Sequence, residues 1–141
     1  IGDGAILPEL KQQALDLGIA DKVEFKGLVT RDKVLEYVKN FDIALQPDVT
    51  AYASPLKMFE YMAVGSLIIA PNTSNIREIL DDSTALFFDK GDQLSFKAVL
   101  NEAIVNYGKY KEVRLAVKQS VVAKAFVWQE NSKFVASLIE T

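Results

Sequence analysis

Apolar residues follow two rhythms along this chain. Val23-Glu24-Phe25-Lys26 alternates, and Ile43-Ala44-Leu45-Gln46, Leu67-Ile68-Ile69-Ala70 and Ala85-Leu86-Phe87-Phe88 are short, nearly continuous apolar runs; all four read as strands. The run 67–70, apolar throughout, predicts a strand buried on both faces. Helical patterns of about 5 to 16 residues lie between and after these runs. They cover Ile6 to Leu17 before Gly18, Thr30 as a cap to about Lys39, and Ile76 to Leu80 behind Asn75 as a cap. Past the last strand the pattern is wholly helical. Asp92 is placed to cap a helix whose stripe is Phe96, Val99, Leu100, Ala103, Ile104 and Tyr107, closed by Gly108; Lys111 to Ala125 and Trp128 to Glu140 follow. This alternation predicts an α/β fold, a mostly parallel sheet with right-handed crossovers and helices on both faces, and a helical C-terminal end.

One further helix stands out, from Ser54 to Gly65. Pro55 suits a first turn because it has no N–H to lose, Ser54 offers a cap, and Gly65 offers a left-handed end. Leu56, Met58, Phe59, Tyr61, Met62, Ala63 and Val64 make it apolar on nearly every side, which predicts a buried helix. Lys57 and Glu60, three apart, share its one charged stripe. A surface ion pair explains such spacing in many helices. Here the helix follows a long loop after a strand, where free amides and the helix dipole favour a phosphate, so the stripe is read as facing a polar cleft.

Composition narrows the chemistry. The chain has 141 residues, half of them hydrophobic, enough for one domain with a core. Its net charge of −3 gives no positive field for a nucleic-acid backbone, so nucleic-acid binding is not expected. Residues 93–141 hold seven Lys/Arg against four Asp/Glu, a local excess read as a solvated helical face, with peripheral contact with a membrane surface as the alternative. There is no Cys and no His, which removes thiolate and imidazole catalysis and the usual zinc sites; no metal and no cofactor are expected. No apolar run approaches the roughly 20 residues of a membrane span and no signal peptide is visible. The expected location is cytoplasmic, at most peripheral to the inner face of the membrane. Ile1-Gly2 reads as the end of a strand, without an initiating Met, and the expectation is that part of a larger protein precedes it. A strand stub leaves a sheet edge unpaired, so self-association through that edge is expected.

Ligands of open α/β sheets bind beyond the carboxyl ends of the strands, here the loops Gly27 to Thr30, Pro47 to Ser54 and Pro71 to Asn75. An ionised Glu60 can accept two hydrogen bonds from a vicinal diol, while Lys57 and the amides of Leu56 and Lys57 face a phosphate; the spacing suits a sugar nucleotide. Gly2-Asp3-Gly4 lacks the third glycine of a dinucleotide loop and reads as a strand-to-helix turn. Glu78 reads as a dipole or capping residue near a helix start, and Asp81-Asp82-Ser83 as a solvated turn.

The order Ile1-Gly2-Asp3-Gly4, Val23 to Gly27, Phe41-Asp42-Ile43-Ala44-Leu45-Gln46-Pro47, Ser54 to Ala70, Arg77-Glu78-Ile79-Leu80 and Trp128-Gln129-Glu130 resembles the C-terminal, donor-binding domain of GT-B glycosyltransferases. More narrowly it resembles the family 4 group of retaining enzymes, the glycosyl transferases group 1. The resemblance implies a Rossmann-like donor-binding domain over 1–141, lacking its first strand–helix units and the N-terminal acceptor domain. It implies that Glu60, matching the second of the family's paired glutamates, holds the donor ribose, that Ser54, Pro55, Leu56 and Lys57 lie at the donor, and that the backbone of Gly27, Leu28 and Val29 reads the base. Tyr52 stands where the first glutamate would be, so that residue's contact with the donor sugar is not carried over and the catalytic residues stay unknown. A basic Gly-Arg and Lys-Gly region is implied upstream of Ile1. The implied partner is a nucleotide-sugar donor of unknown base, and the implied activity is retaining transfer of a hexosyl group to a glycan, lipid or other acceptor, for example in polysaccharide biosynthesis. The isolated chain is expected to be inactive. The alternatives are a non-catalytic nucleotide-binding or regulatory α/β module and half of a sugar-nucleotide epimerase.

Overall fold

The computed structural model describes residues 1–50, 52, 55–124, 132 and 133. The expected cap Ser54 and most of the expected helix from Trp128 to Glu140 lie outside the described residues. The chain divides into two compact units, Ile1–Tyr37 and Val38–Thr141.

In the first unit α1 (Leu7–Asp16) carries Pro8 in its first turn, where a missing N–H costs nothing, and the Leu7 amide donates to the Gly4 carbonyl at 3.0 Å. The Gly2-Asp3-Gly4 segment is thus the turn into a helix. A 3₁₀ turn at Ala20–Lys22 follows, and then the expectation fails: among the described residues Val23 to Lys26 form no strand. Alternation alone does not make a strand, because a ladder needs a neighbour. In this unit the Gly27 carbonyl accepts from the Gly2 amide at 2.8 Å, but no paired run lies beside 23–26. Glu24 and Lys26 instead form an ion pair with each other. α2 (Arg31–Val38) starts where Thr30 predicts, with the Thr30 carbonyl accepting from the Lys33 and Val34 amides.

The second unit holds a parallel three-stranded sheet of β1 (Ile43–Leu45), β2 (Leu67–Pro71) and β3 (Leu86–Phe88), in the order β1-β2-β3. Ile43 pairs with Leu67 and Ile69 with Leu86. All five residues of the central β2 are buried, as its unbroken apolar run predicts. Pro71 is tolerated because it ends the strand; the next amide, of Asn72, reaches the Phe88 carbonyl at 2.8 Å.

The strands are joined through α3 (Lys57–Val64) and α4 (Ser74–Arg77), and the right-handed rule for such crossovers sets both helices on one face. α5 (Gln93–Val105) covers the other. Leu67, Ile69, Phe88 and Ala103 form one buried cluster, against which Phe96, Val99, Leu100 and Tyr107 pack. That is the sequence stripe except Ile104, which is 59% exposed because it lies one residue round the helix from Ala103. The Asp92 cap is formed: its Oδ1 accepts from the Leu94 and Ser95 amides at 2.8 and 3.1 Å. The helix stops at Val105 rather than Gly108, since the chain tightens into a 3₁₀ turn at Tyr107–Tyr110 before α6 (Lys111–Ala123).

α4 also differs from expectation. It begins at Ser74, and Asn75 sits inside it rather than capping it: the Asn75 Oδ1 accepts from the Thr73 hydroxyl at 2.8 Å, and its Nδ2 donates to the Thr50 carbonyl at 3.2 Å. Glu78 stands at the C-terminal cap, so the role near a helix start is not the one it fills. Among the described residues no helix is long and apolar enough to cross a membrane.

Candidate functional site

α3 runs back from the carboxyl side of the sheet to its amino side, because Gly65 lies two residues before β2 begins. Its amino end, with Lys57 and Glu60, therefore points to the side where the loops after the strands gather. Gly65 makes the return possible. Its φ is +77°, and the Gly65 and Ser66 amides both reach the Tyr61 carbonyl, at 3.1 and 3.2 Å. An added Cβ would lie 3.3 Å from the Arg114 carbonyl on α6, so the position favours glycine by conformation and by room. Arg114 Nε donates back to the Gly65 carbonyl at 3.4 Å while its guanidinium lies over Tyr107, 4.8 Å from the ring centroid.

The helix itself departs from the sequence reading in two ways. It begins at Lys57, not Pro55; Pro55 and Leu56 form the lead-in, their carbonyls accepting from the Met58 and Phe59 amides at 2.9 and 3.1 Å. No side chain caps it among the described residues, and the amides of Leu56 and Lys57 fall ahead of those bonded turns. Nor is it buried on nearly every side. Met58, Tyr61 and Met62 are buried, but Leu56 is 76% exposed and Lys57 and Ala63 are exposed. One face packs on the core and α6; the other is open, which an all-round apolar sequence does not reveal because Leu56 and Ala63 carry no polar mark.

Glu60 is half-buried and Lys57 exposed, and among the described residues no ion pair joins them. Glu60 does act electrostatically on Tyr61, whose hydroxyl is pushed up by burial first and by the Glu60 charge second.

The loop between β1 and α3 is held from several sides. Gln46, 6% exposed, donates from Nε2 to the Asp48 carbonyl at 2.5 Å, and Asp48 Oδ1 accepts from the Val49 amide at 2.7 Å. Lys90, in the turn after β3, donates to the Val49 carbonyl at 2.5 Å and lies 3.5 Å from Asp48 Oδ1. The turn at 89–92 thus belongs to the carboxyl-end constellation, beyond the three loops expected there. At the end of α4, Arg77 stacks 3.6 Å from the Phe87 centroid and donates to Asn72 Oδ1 at 2.8 Å and Asp82 Oδ1 at 2.7 Å, which fixes its orientation.

Asp81 is no plain solvated residue. The Ser83 hydroxyl donates to its Oδ1 at 2.5 Å and Lys124 reaches its Oδ2 at 3.2 Å. These bonds, the Ser83 hydroxyl foremost, hold the carboxyl down to about 2, against the opposing effect of partial burial. Stability from this group is complete above the ordinary Asp value near pH 4 and is lost as pH falls through about 2. The side chain is 50% exposed, so solvent screening limits the effect to less than about 1 kcal/mol. Asp81→Asn is expected to flatten the acid limb of the stability profile between about pH 4 and 2, read by urea midpoints. An unchanged limb would contradict the assignment.

The remaining expected site residues, Gly27, Leu28 and Val29, lie in the first unit. Gly27 has φ +64°, the left-handed value its turn requires, Leu28 is 85% exposed, and Val29 is half-buried. Among the described residues no cluster of three or more metal-ligating side chains occurs.

Comparison with known proteins gives the relatives. Residues 1–106 match the family model described as Glycosyl transferases group 1. An alpha-monoglucosyldiacylglycerol synthase of Streptococcus pneumoniae (strain ATCC BAA-255 / R6) is 30% identical over 93 residues, 64% of this chain and 21% of that protein. The amylovoran biosynthesis glycosyltransferase AmsK of Erwinia amylovora is 27% identical over 106 residues, 71% of this chain and 26% of that protein. The chain thus spans about a fifth to a quarter of the curated relatives it matches. The crystal structure of Anabaena Alr3699/HepE in complex with UDP and glucose is 16% identical, with a TM-score of 0.78 over 96% of this chain and 39% of that one. At that identity the likeness is one of fold, the GT-B glycosyltransferase fold. With residues 1–106 of its 141 matched, the chain belongs to the family of glycosyl transferases group 1.

Proposed function

We propose that this chain is the donor-binding part of a nucleotide-sugar-dependent hexosyltransferase, acting with a separate acceptor domain. The observation that carries the proposal is the stripe of Lys57 and Glu60 at the amino end of α3, unpaired with each other and set on the carboxyl side of a parallel sheet. In this reading the Glu60 carboxylate accepts from the two ribose hydroxyls, and its half-buried setting strengthens both bonds. Lys57 and the amides of Leu56 and Lys57 face the diphosphate, where they oppose the charge that develops as it departs. For the first unit, the backbone groups of the Gly27-Leu28-Val29 turn are proposed to read the base. Transfer with retention follows the family resemblance, and no metal or cofactor is invoked.

The relatives' names support this reading: one is an alpha-monoglucosyldiacylglycerol synthase, another an amylovoran biosynthesis glycosyltransferase, and the HepE crystals hold UDP and glucose. Lys57→Ala tests the phosphate side. Lys57 is exposed, so as a point charge it is expected to contribute about 1 kcal/mol or a little more to diphosphate affinity at low salt, and less as ionic strength shortens the Debye length towards about 8 Å. Calorimetric titration of UDP, ADP and GDP at two salt concentrations checks it. A variant that binds as the wild type does at both salts would remove Lys57 from the site.

A further inference from the structure

A second concavity opens on the carboxyl side of the same sheet, between the loop after β1 and the turn that leads from β3 into α5. Its volume is about 330 Å³, at the lower end of small-molecule sites and ample for one pyranose ring. Phe96 and Pro47 give it apolar surface, and Phe96 is held edge-on by the buried Phe88 at 5.0 Å between centroids. Asp48, Asp92, Lys90 and Gln93 supply the polar groups.

The two carboxylates are set in a shared manner. Asp48 Oδ1 is committed to the Val49 amide and to Lys90, and Asp92 Oδ1 to the Leu94 and Ser95 amides. Each carboxylate is therefore oriented by its Oδ1, while neither Oδ2 has a hydrogen bond to a described residue. Two oriented carboxylates and an aromatic ring lining one cleft match a sugar, which presents paired hydroxyls on its rim and C–H groups on its face. They do not match an anion. Two carboxylates stand against one ammonium, and that ammonium is already engaged by Asp48 and the Val49 carbonyl. The lysine in the same wall equally disfavours a metal ion.

We propose that this cleft is a binding subsite for a neutral hexopyranose, separate from the donor stripe on α3, and that it takes a sugar unit of the molecule to be glycosylated. Only this last assignment, to the acceptor, rests on the glycosyltransferase reading; sugar binding as such does not.

The test titrates the protein with methyl α-D-glucopyranoside, methyl β-D-galactopyranoside and N-acetylglucosamine, with and without saturating UDP, by saturation-transfer and amide-shift NMR. At least one sugar is expected to bind in the millimolar range and to shift the amides of Val49, Gly91, Leu94 and Ser95, and UDP is expected to leave it bound. Asp48→Asn and Asp92→Asn keep the groups that orient their neighbours, because Asn also caps helices. Each is expected to weaken sugar binding about tenfold and to leave UDP binding unchanged. No sugar binding in that range, shifts confined to other amides, or displacement of the sugar by UDP would each overturn the proposal. The amide map needs no variant, so a variant that folds poorly does not remove the test. Loss of UDP binding in the wild type would instead count against the donor assignment alone.

Discussion

Glu60→Ala in the whole enzyme is expected to weaken donor binding about 10- to 150-fold, the equivalent of about 1.5–3 kcal/mol for a charged acceptor that loses its hydroxyl partners. Two features of the structure set the size. Glu60 is half-buried, so water replaces the lost bonds poorly, and among the described residues no cation is paired with it. Were the Lys57–Glu60 spacing only an i,i+3 surface pair, the same change would cost no more than about 0.5 kcal/mol of stability and leave donor kinetics untouched. Donor KM, kcat and melting temperature of the variant separate the two cases. Unchanged kinetics with a slightly lower melting temperature would contradict the site.

Ile69→Ala is expected to destabilise the protein by about 2–5 kcal/mol, the range for a large buried aliphatic side chain cut back to a methyl group. Ile69 has no exposed surface, lies at the centre of β2 with Leu45 and Leu86 as its ladder partners, and shares a cluster with Phe88 and Ala103. No flanking side chain can close the gap without leaving its own strand or α5, so the upper half of the range is expected. Urea unfolding monitored by circular dichroism measures it. A cost below about 1 kcal/mol would mean that β2 is not the keystone of the sheet.

Much of this architecture is legible in the residues because single physical signals dominate. Leu67 to Ala70 has no polar position, which leaves only a central strand; Asp92 before an apolar stripe gives the start of α5, and Gly65 gives the end of α3. The failures arise where local pattern needs a distant partner. Val23 to Lys26 alternates like a strand, yet pairing decides, and among the described residues they join no ladder. Asn75 has the chemistry of a cap but is drawn to the Thr50 carbonyl, a residue 25 positions away that no local window contains. The site divides in the same way. The Lys57–Glu60 stripe follows from helical spacing. The cleft at Asp48 and Asp92 does not, because it depends on Lys90 reaching back 41 residues to the Val49 carbonyl. Its one sequence signal was Gly91-Asp92, a turn and cap after the last strand, which marks a loop at the carboxyl edge of the sheet.

The most direct measurement of the central claim is a double-mutant cycle between Glu60 and the ribose diol. A nucleoside diphosphate and its 2′-deoxy counterpart are titrated into the wild type and into Glu60→Ala. The account predicts that removing the 2′-hydroxyl weakens binding to the wild type about tenfold, and that Glu60→Ala binds the two nucleotides equally. An equal loss in both proteins, or no loss in either, would contradict the assignment of Glu60 to the donor ribose.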